Sequence, residues 1–222
     1  MKIEVKNVSK RFKDITVLQN INMTFEDGKI YGLVGRNGSG KSVLLKMICA
    51  FYEPTSGEIL FDGENIIKNQ KFPPNTRALI EKPYFMPDLS GFENLKLLAS
   101  IDNKTSDEKI LETLKLVNLY EEKDKKFSKY SLGMKQKLGI AQVLMDDPEI
   151  IILDEPFNGL EEATTISLRK VLLNLKKQGK IIILATHIKE DIKELVDILY
   201  TFDAGNVKEE KITMFDRILR KQ

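Results

Sequence analysis

The sequence of 222 residues predicts an α/β fold built on a mainly parallel central sheet. Apolar strands alternate with amphipathic helices along most of the chain, which is the order that a parallel sheet requires. A glycine-rich loop at 35–42 lies between a short apolar strand and a helix, and the branched apolar run 150–153 ends in two carboxylates. These observations place polar side chains at the carboxyl ends of strands, where ligands bind in open α/β sheets.

The first third of the chain is predicted to form short strands around one helix. Asp27-Gly28 and Asp62-Gly63 are turn signals, and the second is typical of a hairpin. A helix is expected after the glycine-rich loop, because apolar residues at 44, 45, 47 and 48 share one face. The predicted strands are 2–7, 15–25, 30–34, 58–61 and 77–80.

The stretch from about 83 to 145 is mostly helical in pattern and predicts an inserted helical subdomain. Thr105 and Glu108 fit a capping box at the start of one helix, whose apolar face is formed by Ile110, Leu111, Leu114 and Val117. Another helix is predicted to begin near Ser131.

The last third of the chain returns to alternating strands and helices. A helix with an apolar stripe from 168 to 175 is predicted to end at Gly179, and a shorter one covers about 189–196. A last amphipathic helix is predicted to run to residue 222. The predicted strands are 150–153, 181–185, 198–202 and 207–211.

Composition excludes several classes of function. The 35 basic and 33 acidic residues give a net charge of +2, which is no signature of nucleic-acid binding. The single cysteine, Cys49, is expected to be a small buried residue. No apolar run approaches the length of a membrane span, and residues 1–6 alternate like a strand and lack a signal-peptide core. We therefore expect a cytoplasmic protein, with any membrane association provided by a partner.

The loop 35–42 fits G-x-x-x-x-G-K-[ST], the phosphate-binding loop, in the strand–loop–helix context that this motif needs. Its glycines allow backbone N–H groups to turn toward phosphate oxygens, and the following helix adds a partial positive charge. Lys41 is predicted to reach the β- and γ-phosphates, and Ser42 to ligate Mg²⁺. The predicted nucleotide-binding residues of the loop are Gly35, Arg36, Asn37, Gly38, Ser39, Gly40, Lys41 and Ser42.

Three further residues follow two apolar strands. Asp154 is predicted to hold Mg²⁺ opposite Ser42, and Glu155 to accept a proton from the attacking water. His187, the single histidine, follows the strand 181–185, and the ends of neighbouring strands converge. We therefore predict that His187 contacts the γ-phosphate region.

In order and spacing, these motifs resemble the ATP-binding subunit of ABC transporters. The loop 35–42 is similar to Walker A, 150–155 to Walker B with its catalytic glutamate, and Thr186-His187 to the switch histidine. Ser131-Leu132-Gly133 resembles the signature motif, although the next residue is Met134. The resemblance implies that Phe12 stacks on adenine and that Ser131 and Gly133 contact the γ-phosphate bound to the opposite subunit.

Two other positions depart from the family pattern. Glu81 stands where the family has the glutamine of the Q-loop, and a carboxylate there is still a good ligand for Mg²⁺. Glu161 replaces the aspartate of the D-loop. The segments 80–83, 89–95 and 130–136 resemble the branch that exports bacitracin, lantibiotics and related peptides.

The resemblance implies a P-loop NTPase fold with an N-terminal antiparallel β subdomain, a parallel core and the helical insert at about 83–145, all within one ATPase domain over 1–222. It implies ATP and Mg²⁺ as cofactors, and a homo- or heterodimer of ATPase subunits sandwiching two ATP molecules. It also implies a membrane permease as partner, location on the inner face of the cell membrane, and no nucleic-acid partner.

Three other classes of function compete with this interpretation. A soluble ABC ATPase without a permease shares the motifs, but its repair and translation kinds carry coiled-coil inserts or two ATPase units, which this sequence lacks. A P-loop kinase or GTPase would not need Ser131 and Gly133, and no guanine-reading Asn-Lys-x-Asp is present. A non-hydrolysing scaffold would not need Lys41, Asp154 and Glu155 together.

Overall fold

The computed structural model describes residues 1–69, 71–101 and 105–212. Within these ranges, nine strands form a three-stranded and a six-stranded sheet. The strands are β1 (Lys2–Phe12), β2 (Ile15–Glu26), β3 (Lys29–Gly35), β4 (Ser56–Phe61), β5 (Thr76–Leu79), β6 (Ile150–Asp154), β7 (Ile181–Ala185), β8 (Ile198–Asp203) and β9 (Asn206–Lys211). The helices are α1 (Lys41–Ile48), α2 (Gly91–Ala99), α3 (Asp107–Leu116), α4 (Leu132–Leu144), α5 (Glu162–Lys177) and α6 (Lys189–Leu195).

The six-stranded sheet has the order β5-β6-β7-β3-β8-β9 and is parallel except for the last pair. β7 lies between β6 and β3, with Asp154 paired to Ala185 and Leu33 paired to Ala185. The loops that follow these three strands therefore emerge at one edge of the sheet. The strand order confirms the predicted parallel core. It also brings the loop 35–42, the pair 154–155 and His187 to that edge of the sheet.

Residues 150–153 of the interior strand β6 are all apolar, as burial on both faces of the sheet requires, and only Asp154 at its end is polar. Ile150 and Ile152 pack toward α1 and the N-terminal sheet, while Ile151 and Leu153 pack toward α4 and α5. The N-terminal sheet, with the antiparallel order β2-β1-β4, covers one side of the core as predicted.

The helices α2, α3 and α4 lie between β5 and β6 and form the predicted helical insert. Ser90 and Glu93 make a reciprocal capping box at α2, since each side chain bonds the backbone N–H of the other. The cap predicted at Thr105 is wrong by one residue, because the Ser106 hydroxyl accepts the N–H of Lys109. No helix in the described ranges is long and apolar enough to cross a membrane.

Two strand predictions are corrected by the structure. β1 continues to Phe12 instead of ending at Asn7, because a register shift between Val5 and Val8 lets pairing with β2 resume after the irregularity. Asp62-Gly63 forms a turn closed by the Phe61–Glu64 bridge, but β4 pairs with β1 and not across that turn. The helix predicted to run to residue 222 lies largely beyond 212, outside the described residues.

Cys49 follows α1 and is buried, as the sequence predicted. Burial raises the pKa of its thiol to about 12, so the group is neutral and unreactive at physiological pH.

Candidate active site

The loop between β3 and α1 presents free N–H groups to the site. Gly40 precedes α1 with φ +104, and no side chain in the described ranges caps the helix. The φ of +104 would strain any residue with a side chain, and a Cβ at Gly40 would also lie 2.5 Å from a methyl carbon of Leu18, so this position favours glycine. The uncapped N–H groups and the helix dipole therefore favour an anion at this point.

Lys41 is buried, and its ammonium donates to the carbonyl oxygens of Gly35 at 2.7 Å and Arg36 at 3.2 Å. The cation therefore lies against the loop itself, where it can also donate a charge-assisted hydrogen bond to a phosphate. Ser39 Oγ is buried and has no hydrogen-bond partner among the described residues. An unsatisfied buried hydroxyl in this loop fits a ligand that accepts a hydrogen bond.

Ser42, at the start of α1, donates its hydroxyl to Asp154 Oδ2 at 2.8 Å. The contact joins the glycine-rich loop to the end of β6 across 112 residues of sequence, as predicted. Both residues line a cleft of about 580 Å³, together with Val17, Asn37, Gly38, Ser39, Gly40, Lys41, Val43, Glu81, Lys82, Leu132, Gln136, Glu155 and Asn158.

Glu155 has a left-handed backbone with φ +48, an uncommon conformation for a residue with a side chain. Its N–H donates to Ala185 O at 2.9 Å, and its carbonyl accepts from Gln136 Nε2 at 3.3 Å. The carboxylate Oε1 lies 2.9 Å from His187 Nδ1, whereas Oε2 is buried with no partner in the described part of the chain. One oxygen is thus oriented by histidine and the other is free to accept a proton.

Glu81 also has a left-handed backbone, with φ +66, and it lines the same cleft. Its carboxylate Oε1 is 2.5 Å from the ammonium of Lys46 on α1. The hydrogen bond from Lys46 to Glu81 raises the pKa of the lysine. Glu81 therefore lies at the cleft but is bound to a cation and not to Ser42 or Asp154.

Six predicted site residues are absent from the cleft lining found in the described residues: Gly35, Arg36 and His187, which adjoin it in sequence or contact Glu155, and Phe12, Ser131 and Gly133. Phe12 packs edge-on against Tyr52, with ring centroids 5.4 Å apart, and is absent from the cleft lining found in the described residues. Ser131 is exposed, and its hydroxyl caps α4 by accepting the N–H of Met134 at 3.2 Å. A Cβ at Gly133 would lie 2.8 Å from the carbonyl oxygen of Gly159, so close backbone approach requires glycine there.

The sequence reasoning gave no role to Gln136 or Lys46. Gln136 is buried on α4 and donates to the carbonyl oxygens of Glu155 and Pro156, which fixes the turn that carries Glu155. The sequence offered one signal for this role, which is the position of Gln136 near the start of the helix that Ser131 caps. Lys46 gives no such signal, because its partner Glu81 is 35 residues away.

Comparison with known proteins identifies the family. The family model described as ABC transporter matches residues 18–158. The chain is 43% identical over 206 residues to the ABC transporter ATP-binding protein YybJ of Bacillus subtilis (strain 168), covering 93% of this chain and 94% of YybJ. It is 39% identical over 210 residues to the bacitracin transport ATP-binding protein BcrA of Enterococcus faecalis, covering 94% of this chain and 68% of BcrA. It is 33% identical over 209 residues to the lantibiotic transport ATP-binding protein SrtF of Streptococcus pyogenes, covering 94% and 90%.

Solved structures agree with the sequence relatives. An ATP-binding subunit of an ABC transporter superposes with a TM-score of 0.87 at 26% identity, covering 100% of this chain and 93% of that one. A dimeric ATP-binding cassette in a post-hydrolysis state, bound to ADP and Pi, gives a TM-score of 0.85 at 25% identity, covering 95% and 99%. With the phosphate loop, Asp154 and Glu155 gathered in one cleft, these likenesses establish that the chain belongs to the ABC transporter family as an ATP-binding subunit with ATPase activity.

Proposed function

We propose that this ATPase powers a separate membrane permease and that the assembled transporter exports a peptide antibiotic or a similar amphipathic compound. BcrA and SrtF, named for bacitracin and lantibiotic transport, support the choice of cargo. The proposal takes residues 1–222 as one ATPase domain with the helical insert at about 83–145. It places the protein in the cytoplasm, held at the inner face of the membrane by the permease, with no nucleic-acid partner.

The hydrolytic reaction assigns roles to the predicted residues in and beside the cleft. Lys41 and the N–H groups of the loop bind the β- and γ-phosphates, as the described geometry favours. Glu155 accepts a proton from the attacking water through the unpartnered Oε2, while His187 orients the carboxylate through Oε1. Gly35, Arg36, Asn37, Gly38, Ser39 and Gly40 shape the phosphate cradle.

Magnesium is the expected metal, and the oxygen donors of the cleft fit it. Mg²⁺ binds one or two protein oxygens together with substrate phosphates and waters. Ser42 Oγ and Asp154 Oδ2, which are 2.8 Å apart, would hold it; Glu81, the third predicted ligand, lies at the cleft wall but is paired with Lys46. When bound, the ion neutralises charge that develops on the phosphates.

The carboxylate of Glu81 is expected to be dispensable for the chemical step. Glu81 bonds Lys46 and not Ser42 or Asp154. Glu81→Gln should therefore keep the kcat for ATP within about tenfold of the unsubstituted protein, because the expected loss is one hydrogen bond to a charged group. Steady-state phosphate release, measured across a Mg²⁺ titration, tests this. A complete loss of hydrolysis would give the carboxylate a catalytic role of its own.

Two subunits, homo- or heteromeric, are proposed to sandwich ATP head to tail. Ser131 is exposed and is not part of the cleft lining described for its own subunit, so its hydroxyl is open to another chain, while Leu132, the first residue of α4, lines that cleft. In this arrangement Ser131 and Gly133 contact the γ-phosphate held by the opposite subunit, where a helix N-terminus suits an anion. The dimeric cassette that resembles this chain supports the arrangement.

Phe12 is proposed to stack on the adenine ring. It is partly exposed at the end of β1, and Lys10 Nζ lies 4.9 Å from its centroid. The exposed part of an aromatic ring suits a purine. For this stacking, the adenine ring of ATP would have to extend beyond the described cleft, because Phe12 does not line it.

The proposed docking site for the permease includes three exposed apolar side chains, Phe51, Tyr84 and Met86, which are 62%, 92% and 56% exposed. The Lys46–Glu81 pair brings the end of α1 beside the segment that contains Tyr84, and Met86 N–H donates to Asn94 of α2 at 2.8 Å. These residues thus lie on segments that connect the phosphate-loop helix to the helical insert, and we propose that the permease contacts them there.

The test is affinity purification of the tagged full chain from detergent-solubilised native membranes. We expect a polytopic membrane protein in stoichiometric amount, and Tyr84→Asp should lower its recovery about tenfold, since a charge buried at an interface is costly. Basal ATPase activity of the isolated chain should stay unchanged. Ile166→Asp, at an exposed apolar position of α5, is the matched control and should leave recovery intact.

Two outcomes would contradict the proposal. Recovery in the soluble fraction alone, with soluble partners, would indicate an ABC ATPase that works without a permease. Equal recovery with Tyr84→Asp and Ile166→Asp would move the docking site away from the Tyr84 surface.

A further inference from the structure

A charged cluster that the proposed chemistry does not use lies directly behind His187. Asp191 of α6 is fully buried, and its Oδ1 accepts from Arg169 Nε at 2.9 Å and Nη2 at 2.6 Å. Its Oδ2 accepts the hydroxyl of Thr186 at 2.8 Å. The carboxylate therefore links α5, α6 and the residue before the histidine.

Thr186 holds the backbone on both sides of His187. Its N–H donates to Leu33 O of β3 at 3.2 Å, and its hydroxyl accepts the N–H of Ile188 at 3.1 Å. The His187 side chain itself is 68% exposed and so receives little orientation from packing. Apart from its contact with Glu155, the direction of the imidazole then depends on the backbone that Thr186 fixes.

Arg169 connects the same cluster to the turn that contains Glu155. Its guanidinium lies over the ring of Phe157, 5.9 Å from the centroid, and also pairs with Glu194 at 3.2 Å. Phe157 is buried two residues after Glu155. The cluster therefore contacts the two segments that present the Glu155–His187 pair.

We propose that Arg169, Asp191 and Thr186 act together as positioning residues that set the orientation of His187 for ATP hydrolysis. Burial raises the pKa of the Asp191 carboxyl, and the hydrogen bonds from Thr186 and Arg169 oppose that rise. A buried ion pair often stabilises a protein no more than apolar packing of similar volume would. We therefore attribute the Arg169–Asp191 pair to a geometric role and not to stability. The inference rests on the role proposed above for His187.

Thr186→Val keeps the shape of the side chain and removes the hydroxyl that bonds Asp191 and Ile188. We expect the kcat for ATP to fall about 10- to 100-fold, since a buried charged group loses one partner, while the KM for ATP changes less than about threefold. Thr186→Ser, which keeps the hydroxyl, should restore kcat to within about threefold. Thr113→Val is the matched control, because Thr113 is buried and its hydroxyl bonds only within α3 among the described contacts.

A double-mutant cycle with His187→Ala separates positioning from general damage. If Thr186 acts through His187, adding Thr186→Val to His187→Ala should change kcat less than about twofold. Thermal unfolding of each variant verifies that the chain is folded. If Thr186→Val does not fold, Arg169→Lys enters the same cycle, since lysine keeps the charge but cannot make both bonds to Asp191.

The outcomes distinguish the inference from the proposed function. Wild-type activity of His187→Ala would remove the proposed role of the histidine. An impaired His187→Ala with a fully active Thr186→Val would overturn the positioning role alone. Additive losses in the cycle, or equal losses for Thr186→Val and Thr113→Val, would overturn it as well.

Discussion

Glu155→Gln is expected to lower the kcat for ATP hydrolysis about a thousandfold, the range seen when a general base is removed. In the described structure, the buried Oε2 of Glu155 has no hydrogen-bond partner and is available to accept a proton. The amide of glutamine cannot accept that proton. ATP affinity should change little, because the loop and Lys41 are untouched. Steady-state phosphate release and equilibrium ATP binding measure the two effects separately.

The same variant should accumulate an ATP-bound dimer, which light scattering after size exclusion would detect. Glu162→Gln, at an exposed position in the first turn of α5, is the matched control and should behave like the unsubstituted chain. Full turnover in Glu155→Gln would remove Glu155 as the base and leave the unpartnered oxygen without an explanation in catalysis.

Lys41→Ala is expected to weaken ATP binding about a hundredfold, since one or two charge-assisted hydrogen bonds to phosphate are lost. The ammonium lies on the loop, bonded to the carbonyl oxygens of Gly35 and Arg36. Alanine leaves those oxygens and the phosphates without that donor. Calorimetric titration with a non-hydrolysable ATP analogue measures the affinity.

Lys170→Ala, which removes an exposed lysine of α5, is the control for the loss of one positive charge. It should bind the analogue like the unsubstituted chain. An unchanged affinity for Lys41→Ala, with the thermal unfolding temperature preserved, would contradict the assignment of the loop as the phosphate cradle.

The parallel core could be predicted because its signals are local. The run 150–153 has no polar residue, which requires burial on both faces, and the structure places its alternate side chains against opposite layers. The position of Asp154 and Glu155 beside the phosphate loop then follows from geometry, since parallel strands end at one edge. The contact between Ser42 and Asp154 is the direct result.

Other features depend on partners far away in sequence. The continuation of β1 to Phe12 is decided by pairing with β2 after an irregularity, and not by its own alternation. The Lys46–Glu81 pair joins residues that are 35 positions apart. The left-handed backbone at Glu81 could not be predicted, because the usual sequence signal for that conformation is a glycine. The capping error at α3 is of another kind, because adjacent Thr105 and Ser106 compete for one role and tertiary context decides.

The contact between Gly133 and the carbonyl of Gly159 has a consequence for genetics. Any side chain at position 133 would strike the backbone of residue 159 in the single subunit, before nucleotide or a second subunit is present. A substitution at 133 that inactivates the protein would therefore act first by disturbing the packing of α4 against the loop 158–160. A selection for lost ATPase activity would recover such substitutions together with alleles of that loop, as one class.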